Sequence, residues 1–386
     1  MGDVAEFSKG SGYSKGDLTA EGTPIILYGR LYTKYETIIE DVDTFVNMKE
    51  KSVISRSGEV IVPSSGETAE DIARASVVGK DGVILGGDLN IVRADSTIDP
   101  TFLAITISNG NQQKELSKRA QGKSVVHISN SDLKDVVLQH PALPEQTAIG
   151  TFFATLDSTI TLYKQKLDGL RTLKKGYLQQ MFPQAGESVP RVRFEGFEGD
   201  WESRAFGEVA DVIGGGTPDT KIPEYWGGDI DWYAPAEIGD QIYVNGSRRK
   251  ITTLGLQKSS ATILPVGTVL FTSRAGIGNT AILGKEGATN QGFQSIVPHK
   301  NELDSYFLYS RTHELKRYGE TVGAGSTFVE VSGKQMSNMN ILLPALAEQA
   351  VIGDFFRSLD GQITAQQSKV EQLQQLKMAY LQKMFV

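Results

Sequence analysis

Apolar residues along this chain follow two rhythms, and one of them occurs twice. From Leu156 they recur three or four positions apart at Ile160, Tyr163, Leu167, Leu170, Leu173, Tyr177 and Met181, which is the spacing of one face of an α-helix. The same rhythm returns at Leu359, Ile363, Gln366, Val370, Leu373, Leu376, Tyr380 and Met384. The two stretches are copies. Ala142–Phe182 and Ala345–Phe385 align without a gap, at an offset of 203. Leu143, Glu145, Gln146, Ile149, Gly150, Phe152, Phe153, Leu156, Asp157, Ile160 and Tyr177 all recur at that offset, and the frame extends upstream through Gly122/Gly325, Ser129/Ser332 and Pro141/Pro344. Pro144 with Glu145 and Gln146 suits the opening turn, and Pro183 with Gly186 ends the first copy.

A single apolar stripe on an isolated helix has nothing to bury against. Two matching stripes predict helices that pack on each other as a short coiled coil. The pairing positions are Leu156, Ile160, Leu167, Leu170 and Tyr177 on one helix, and Leu359, Ile363, Val370, Leu373 and Tyr380 on the other. The alternative is that each helix covers only its own domain. A helix of about 26 residues is roughly 39 Å long, close to the roughly 34–36 Å of one turn of B-DNA.

The second rhythm is that of short β-branched runs, at Val60–Val62, Val83–Leu85, Val269–Thr272 and Ala281–Leu283, separated by Gly, Asn and Asp. These lie in two segments that share a faint frame of their own. Gly2–Glu6 resembles Gly207–Asp211, and Gly58–Ser65 resembles Gly267–Arg274. The expected fold is α+β, with two mixed, strand-rich recognition domains separated by two long helices in a pseudo-twofold internal repeat. The expected boundaries are 1–141 for domain 1, 142–182 for the first helical spacer, 183–344 for domain 2 with its lead-in, and 345–386 for the second spacer.

Composition narrows the function. At 386 residues, two domains are the natural prior. No cysteine is present, which removes disulfides, thiolate metal sites and thiol nucleophiles and fits a reducing cytoplasm. No apolar run approaches the roughly 20 residues that span a bilayer, so a cytoplasmic protein without membrane contact is expected. The net charge of −7 argues against wrapping DNA by bulk electrostatics but is compatible with local basic patches.

Residue types suited to DNA cluster in domain 2. Thr217, Lys221, Tyr225 and Trp226 follow what reads as a flexible glycine turn, Gly214–Gly216. Tyr233, Glu237, Arg248, Arg249, Ser273, Arg274, Asn290, Gln291, Phe293 and Ser326 come after them. Arg and Lys can fork onto guanine, Asn and Gln onto adenine, and Glu can accept from cytosine. Arg248–Lys250 suits phosphate better than bases. Domain 1 offers Tyr28, Arg30, Tyr32, Lys34, Ser64, Asp88, Asn90 and Lys123.

Common catalytic signatures do not assemble in this sequence. There is no P-loop, no Asn/Asp-Pro-Pro-aromatic tetrapeptide, and no paired metal-ligand spacing among four histidines. Gly276–Ala281 fits a GxGxxA pattern, but no helix pattern follows it. Asp132–Lys134 and Glu314–Lys316 sit in helical patterns where common charge spacing explains them. The chain is expected to be non-catalytic and to bind no metal or cofactor.

The doubled motif Pro-x-Leu-x-Glu-Gln with Ile, Phe-Phe and Leu-Asp (Pro141–Asp157, Pro344–Asp360), together with Gly215–Pro218, Glu224–Trp226, Gly267–Gly278, Asn290–Phe293 and Gly325–Phe328, resembles the specificity subunit of a Type I restriction–modification enzyme. The resemblance covers nearly the whole chain and is weaker in domain 1. It implies one half of a bipartite, asymmetric site in double-stranded DNA read by each domain, with the two helices paired antiparallel as a ruler. It also implies partners: two methylation subunits and, through them, restriction subunits, which would hold S-adenosylmethionine, ATP and Mg2+. Two other readings stay open: the recognition fragment of a fused restriction–methylation enzyme, and a non-catalytic coiled-coil scaffold. One departure stands out. The lead-in Pro190–Trp201 has no counterpart ahead of Gly2, so weaker ordering at the N-terminus and a lost contact with a methylation subunit are expected.

Overall fold

The computed structural model describes residues 1–122, 125–274, 276–323 and 330–385. Two compact units emerge, and their division runs through the long helices instead of at their ends. Unit 1 is Met1–Lys166 with Gln366–Val386, and unit 2 is Leu167–Ala365.

In unit 1 the main sheet comprises β1 (Ala5–Lys9), β2 (Ile38–Ile39), β3 (Glu59–Pro63), β4 (Ser76–Val78) and β5 (Leu89–Ala94), in the order β1-β5-β3-β4-β2. Its ladders are antiparallel except for β4 with β2, which is parallel. The faces of β3 and β5 are apolar on both sides, since one packs Val60, Val62 and Val92 under the helices while the other packs Ile61 and Ile91 toward a second small sheet. That is why β3 reads as an unbroken run of apolar residues instead of an alternation. Two short helices cover the first face, α1 (Pro100–Ile107) and α2 (Asn130–Lys134). Asp99 caps α1 by accepting from the Thr101 and Phe102 N–H groups, and Ser129 with Asp132 closes a capping box on α2. The long helix α3 runs Leu143–Gln180, and its first part, to Lys166, belongs to this unit.

Unit 2 opens with a lead-in and a strand, β6 (Glu202–Ala205), then builds its main sheet from β7 (Ala210–Gly214), β8 (Tyr243–Val244), β9 (Val269–Phe271), β10 (Thr280–Leu283) and β11 (Gln294–Pro298). The order is β7-β11-β9-β10-β8, again with only the last pair parallel. The helices α4 (Ser305–Ser310) and α5 (Gly333–Ser337) repeat α1 and α2, down to the N-caps Asp304 and Ser332. The strand β12 (Asn340–Leu343) pairs with β6 and leads into α6 (Leu346–Met384). The faint frame in the sequence is therefore a shared scaffold, with the same strand order and the same pairings in each unit.

The helical repeat encodes one set of contacts, made once in each unit. In unit 1, Phe152 packs edge-to-face on Tyr380, Phe153 lies against Phe385, and Asp157 binds Lys377 at 2.5 Å. In unit 2, Tyr177 packs on Phe355, Phe182 stacks on Phe356, and Lys174 binds Asp360 at 2.6 Å. Low-numbered residues of α3 meet high-numbered residues of α6 and the reverse, so the pairing is antiparallel, as expected. Phe153 and Phe356 are fully buried, each worth roughly 1.5–3 kcal/mol by transfer from water. Each helix also covers its own domain, so the two alternatives weighed from the sequence hold together. Thr37 donates to Asp157, and the Tyr306 hydroxyl donates to Asp360; burial, and then that carboxylate, push the Tyr306 hydroxyl far above its ordinary pKa.

Two corrections concern the helices and a third the N-terminus. The helices span 38 and 39 residues instead of about 26, so the match to one DNA turn no longer follows from their length. Of the stripe, Leu156, Ile160, Leu167, Leu359 and Val370 are buried and Leu170, Tyr177, Ile363 and Leu373 half-buried, whereas Leu173, Leu376 and Met384 are exposed, as is Tyr380 in part. The reason is that the strict three/four rhythm drifts off the facing surface over so many turns. Finally, the N-terminus is tied down: Met1 is buried and its ammonium donates to the Lys134 and Val136 carbonyls. Among the described residues, no helix is long and apolar enough to cross a membrane.

Candidate nucleic-acid interface

The loops at one end of the unit 2 sheet carry most of the residues singled out from the sequence, and the backbone explains how they meet. The turn after β7 is wedged instead of flexible. A Cβ on Gly215 would lie 1.9 Å from the Asn290 carbonyl oxygen, and one on Gly216 would lie 2.3 Å from the Ala261 nitrogen. Gly216 donates to the Thr289 carbonyl and accepts from the Trp232 indole at 2.8 Å. The turn thus sits against the 289–293 loop, where the Thr217 hydroxyl donates to Gln291. That second loop is held by the Asn290 N–H on the Tyr233 carbonyl, and the Ser273 N–H on the Gly292 carbonyl ties it to the turn after β9.

Burial then sorts the candidates. Gln291 is exposed and Thr217 half-buried, with Lys221 exposed nearby in sequence. Arg248 and Arg249 are exposed, and Arg274 is exposed beside Glu330, at 2.8 Å. Tyr225 and Trp226 are half-buried. Asn290 turns its side-chain carbonyl back onto the Gly292 N–H, and both Glu237 oxygens accept backbone N–H groups, from Ala234 and Arg248. Tyr233, Ser273 and Phe293 are fully buried. They were expected as DNA contacts; they are instead the core that shapes the loops. Burial also pushes the Tyr233 hydroxyl up to about 12.

Two devices stiffen the basic arm 247–251. The Arg249 guanidinium lies 3.7 Å over the Trp226 ring, which meets Trp232 edge-to-face at 5.1 Å. A planar cation on an indole face is a favourable stack that keeps its N–H edges free. Beneath it, buried Asp231 accepts from the Ser247 N–H and hydroxyl and faces Lys285 at 3.0 Å and Lys250 at 3.4 Å. Neither Trp226 nor Asp231 can be assigned this role from sequence spacing, because their partners lie 23 and up to 54 residues away.

Burial alone would raise the Asp231 pKa, but the Ser247 and Lys285 hydrogen bonds outweigh it and hold the carboxyl at about 2. A depressed folded-state value means that the stabilisation is complete above the ordinary aspartate value and is lost as pH falls through it toward 2. Asp231→Asn is therefore expected to lower stability at pH 7 by about 2 kcal/mol and to flatten the acid limb of the stability–pH curve between pH 4 and 2. An unchanged acid limb in urea titrations across that range would rule this out.

Unit 1 repeats the framework with different residues. A Cβ on Gly10 would lie 1.9 Å from the Gly86 carbonyl oxygen, the same close approach as at Gly215. Tyr28 is exposed and packs edge-to-face on Tyr32, whose hydroxyl donates to the Ser65 carbonyl. Arg30 is not a free reader: its side chain is buried in a fork onto Asp43 and Glu36, at 2.8 and 2.6 Å. Lys34 pairs with Asp43, and Asp88 is exposed. Ser64 and Asn90 are buried, Asn90 donating to the Ile128 carbonyl, which corrects their expected role. Lys123 and Ser326 lie outside the described residues. The sequence reading missed Tyr13, whose ring lies 4.4 Å under the Lys49 ammonium, with Asp17 2.7 Å from the same lysine. Their separation of 36 residues left no local signal.

The Gly276–Ala281 pattern forms the turn between antiparallel β9 and β10, with Gly276 and Gly278 at φ +93° and +94°. No phosphate-binding helix follows it.

One scaffold made twice, with equivalent loops carrying different side chains, defines a duplicated recognition module. The chain belongs to the Type I restriction modification DNA specificity domain family, whose model matches residues 1–172 and 198–375. It is 34% identical over 190 residues to the Type I restriction enzyme MjaIX specificity subunit of Methanocaldococcus jannaschii, covering 48% of this chain and 44% of that protein. The chain thus spans less than half the length of that relative. A second relative from the same organism, the MjaVIII specificity subunit, is 20% identical over 349 residues, 86% of this chain and 79% of that one. Among solved structures, the S subunit of a Type I restriction–modification system from M. genitalium superposes with a TM-score of 0.67 at 16% identity, over 100% of this chain and 94% of that one.

Proposed function

We propose that this chain is the DNA-specificity subunit of a Type I restriction–modification complex, reading a bipartite, asymmetric site in double-stranded DNA. Each unit reads one half-site through its loop cluster. The observation that carries this reading is the duplicated scaffold: strand order, helix caps and helix contacts are kept from one unit to the other, while the loop side chains are not. A framework held constant under changed loops is what one task on two different targets requires.

On this reading the chain contributes recognition and spacing, and two methylation subunits dock on it, with restriction subunits joining through them. Methyl transfer from S-adenosylmethionine, and ATP- and Mg2+-dependent steps, belong to those partners. Phosphate contacts come from exposed cations such as Lys221, Arg248 and Lys49, and base contacts from Thr217, Gln291 and Arg274.

The test is to replace residues 183–344 by the equivalent domain of another such subunit and map methylated sites in cells. One half-site should change and the other remain; a change in both, or in neither, would refute the assignment. The ruler has its own expected result. Inserting four residues between Leu162 and Leu173 lengthens a helix by about 6 Å and should lengthen the unread spacer or abolish binding, with both half-sites kept. Altered half-site preference would count against it.

A further inference from the structure

The basic run 248–250 reads in sequence as three equivalent cations, and the fold gives each a different place. On the strand Arg249–Ile251 side chains alternate between two faces. Lys250, opposite Asp231 in the ladder, lies 3.4 Å from that buried carboxylate. Arg249, opposite Trp232, takes the other face, 3.7 Å over the centre of the Trp226 ring and 5.8 Å from that of Trp232. Ile251 packs with both tryptophans in one apolar cluster. Arg248 is exposed and stacks on no ring among the described residues.

The two indoles are themselves held. Trp226 donates its ring N–H to the Asp219 carbonyl at 3.1 Å, and Trp232 donates to the Gly216 carbonyl at 2.8 Å. Both acceptors belong to the turn that carries Thr217 and Lys221, so the plane of the Arg249 guanidinium is fixed relative to that turn. Its charge is also uncommitted. Arg74, Arg311 and Arg357 lie over aromatic rings as well, but each pairs with a carboxylate, at 3.4, 2.6 and 2.6 Å. Among the described residues Arg249 has no carboxylate partner, and its side chain meets no hydrogen-bond acceptor. The neighbouring acids are turned elsewhere: Asp231 onto Ser247, Lys250 and Lys285, and both Glu237 oxygens onto backbone N–H groups.

A phosphate contact needs a cation near the DNA backbone, and a mobile lysine supplies it equally well. A base edge needs more, because two N–H groups of a planar fork must meet two fixed acceptors at once. Guanine presents such a pair, N7 and O6, in the major groove, and no other base presents two acceptors there. On the DNA-recognition reading above, we propose that Arg249 is a specificity-determining residue that reads one guanine of the unit 2 half-site through N7 and O6. Trp226 and Trp232 are positioning residues, which hold the fork by its face and leave its N–H edges free.

The test starts from the half-site that replacement of residues 183–344 alters, mapped by methylation in cells. Duplexes carrying that site are made with each of its guanines replaced in turn by 7-deazaguanine, which lacks N7, or by inosine, which keeps N7 and O6. Competition binding by the full chain in its assembled complex is then compared with that of Arg249→Ala. At one guanine, 7-deazaguanine should weaken wild-type binding about tenfold, inosine should leave it unchanged, and Arg249→Ala should abolish the difference. In cells, Arg249→Ala should make that one position degenerate and keep the rest of both half-sites. A unit 2 half-site with no G·C pair, indifference to 7-deazaguanine at every guanine, or a sensitivity that survives Arg249→Ala overturns the proposal and leaves two-part recognition standing. Uniform weakening by Arg249→Ala on all duplexes, with a shallower salt dependence, assigns the residue to phosphate and overturns it too. If domain replacement changes both half-sites or neither, the recognition reading falls first and takes this assignment with it.

Discussion

Leucine in place of Gln349 is expected to destabilise unit 2 by about 3–5 kcal/mol. The Gln349 side chain is 2% exposed and stitches three backbone groups together: it accepts from the Asp304 N–H at 3.0 Å and donates to the Glu302 and Pro344 carbonyls at 3.0 Å. Leucine has a similar volume and none of this chemistry, so three backbone groups lose their partner at once. The neighbouring geometry leaves little room to relax. A Cβ on Gly353, one turn along the same helix, would lie 2.6 Å from the Asp304 Oδ1 that caps α4. Gln146 repeats the arrangement in unit 1, on the Asp99 N–H and the Thr97 and Pro141 carbonyls. The three tryptophans, Trp201, Trp226 and Trp232, all lie in unit 2, so their fluorescence in urea follows that unit alone. Gln349→Leu should move that transition and Gln146→Leu should leave it in place. A shift below about 1 kcal/mol for Gln349→Leu, within the worth of one ordinary hydrogen bond, would show that the clamp is not structural.

Trp226→Ala is expected to weaken DNA binding by about ten- to a hundredfold, through the half-site of unit 2 only. The ring supports the Arg249 guanidinium on its face, and its indole N–H donates to the Asp219 carbonyl at 3.1 Å. It therefore braces both the basic arm and the loop that carries Thr217 and Lys221. Losing one organised cationic reader costs about 1–3 kcal/mol, which sets the range. Arg249→Lys should reproduce part of the loss, because a lysine keeps the charge but not the planar stack. Competition binding against DNA altered in one half-site or the other decides the matter. Equal losses on both half-sites, or a matching loss in urea stability, would reduce the effect to misfolding.

The long helices were legible in the sequence because a helix facing one partner along its whole length must repeat its apolar residues at helical spacing. A gap-free copy at an offset of 203 then marked which positions do the same work. Gln146 and Gln349 were visible as members of that repeat, yet their task as clamps was not, since their partners come from loops whose backbone path no local pattern specifies. The loop candidates divided for the same reason. Residue type named Arg249 and Gln291 as capable of reading DNA, and it named Asn90, Tyr233 and Phe293 equally well. Only burial separates a side chain that faces outward from one that holds the loop in shape. Arg30 looked free until Glu36 and Asp43 closed on it.

Periodicity, the internal repeat and residue chemistry are properties of the chain, so the sequence by itself determined the duplicated architecture, the pairing of two long helices and the residue types suited to nucleic acid. The tertiary structure decided which of those residues are exposed and where each unit begins and ends within the helices. Those outcomes depend on contacts between residues tens to hundreds of positions apart, and such contacts exist only once the chain has folded.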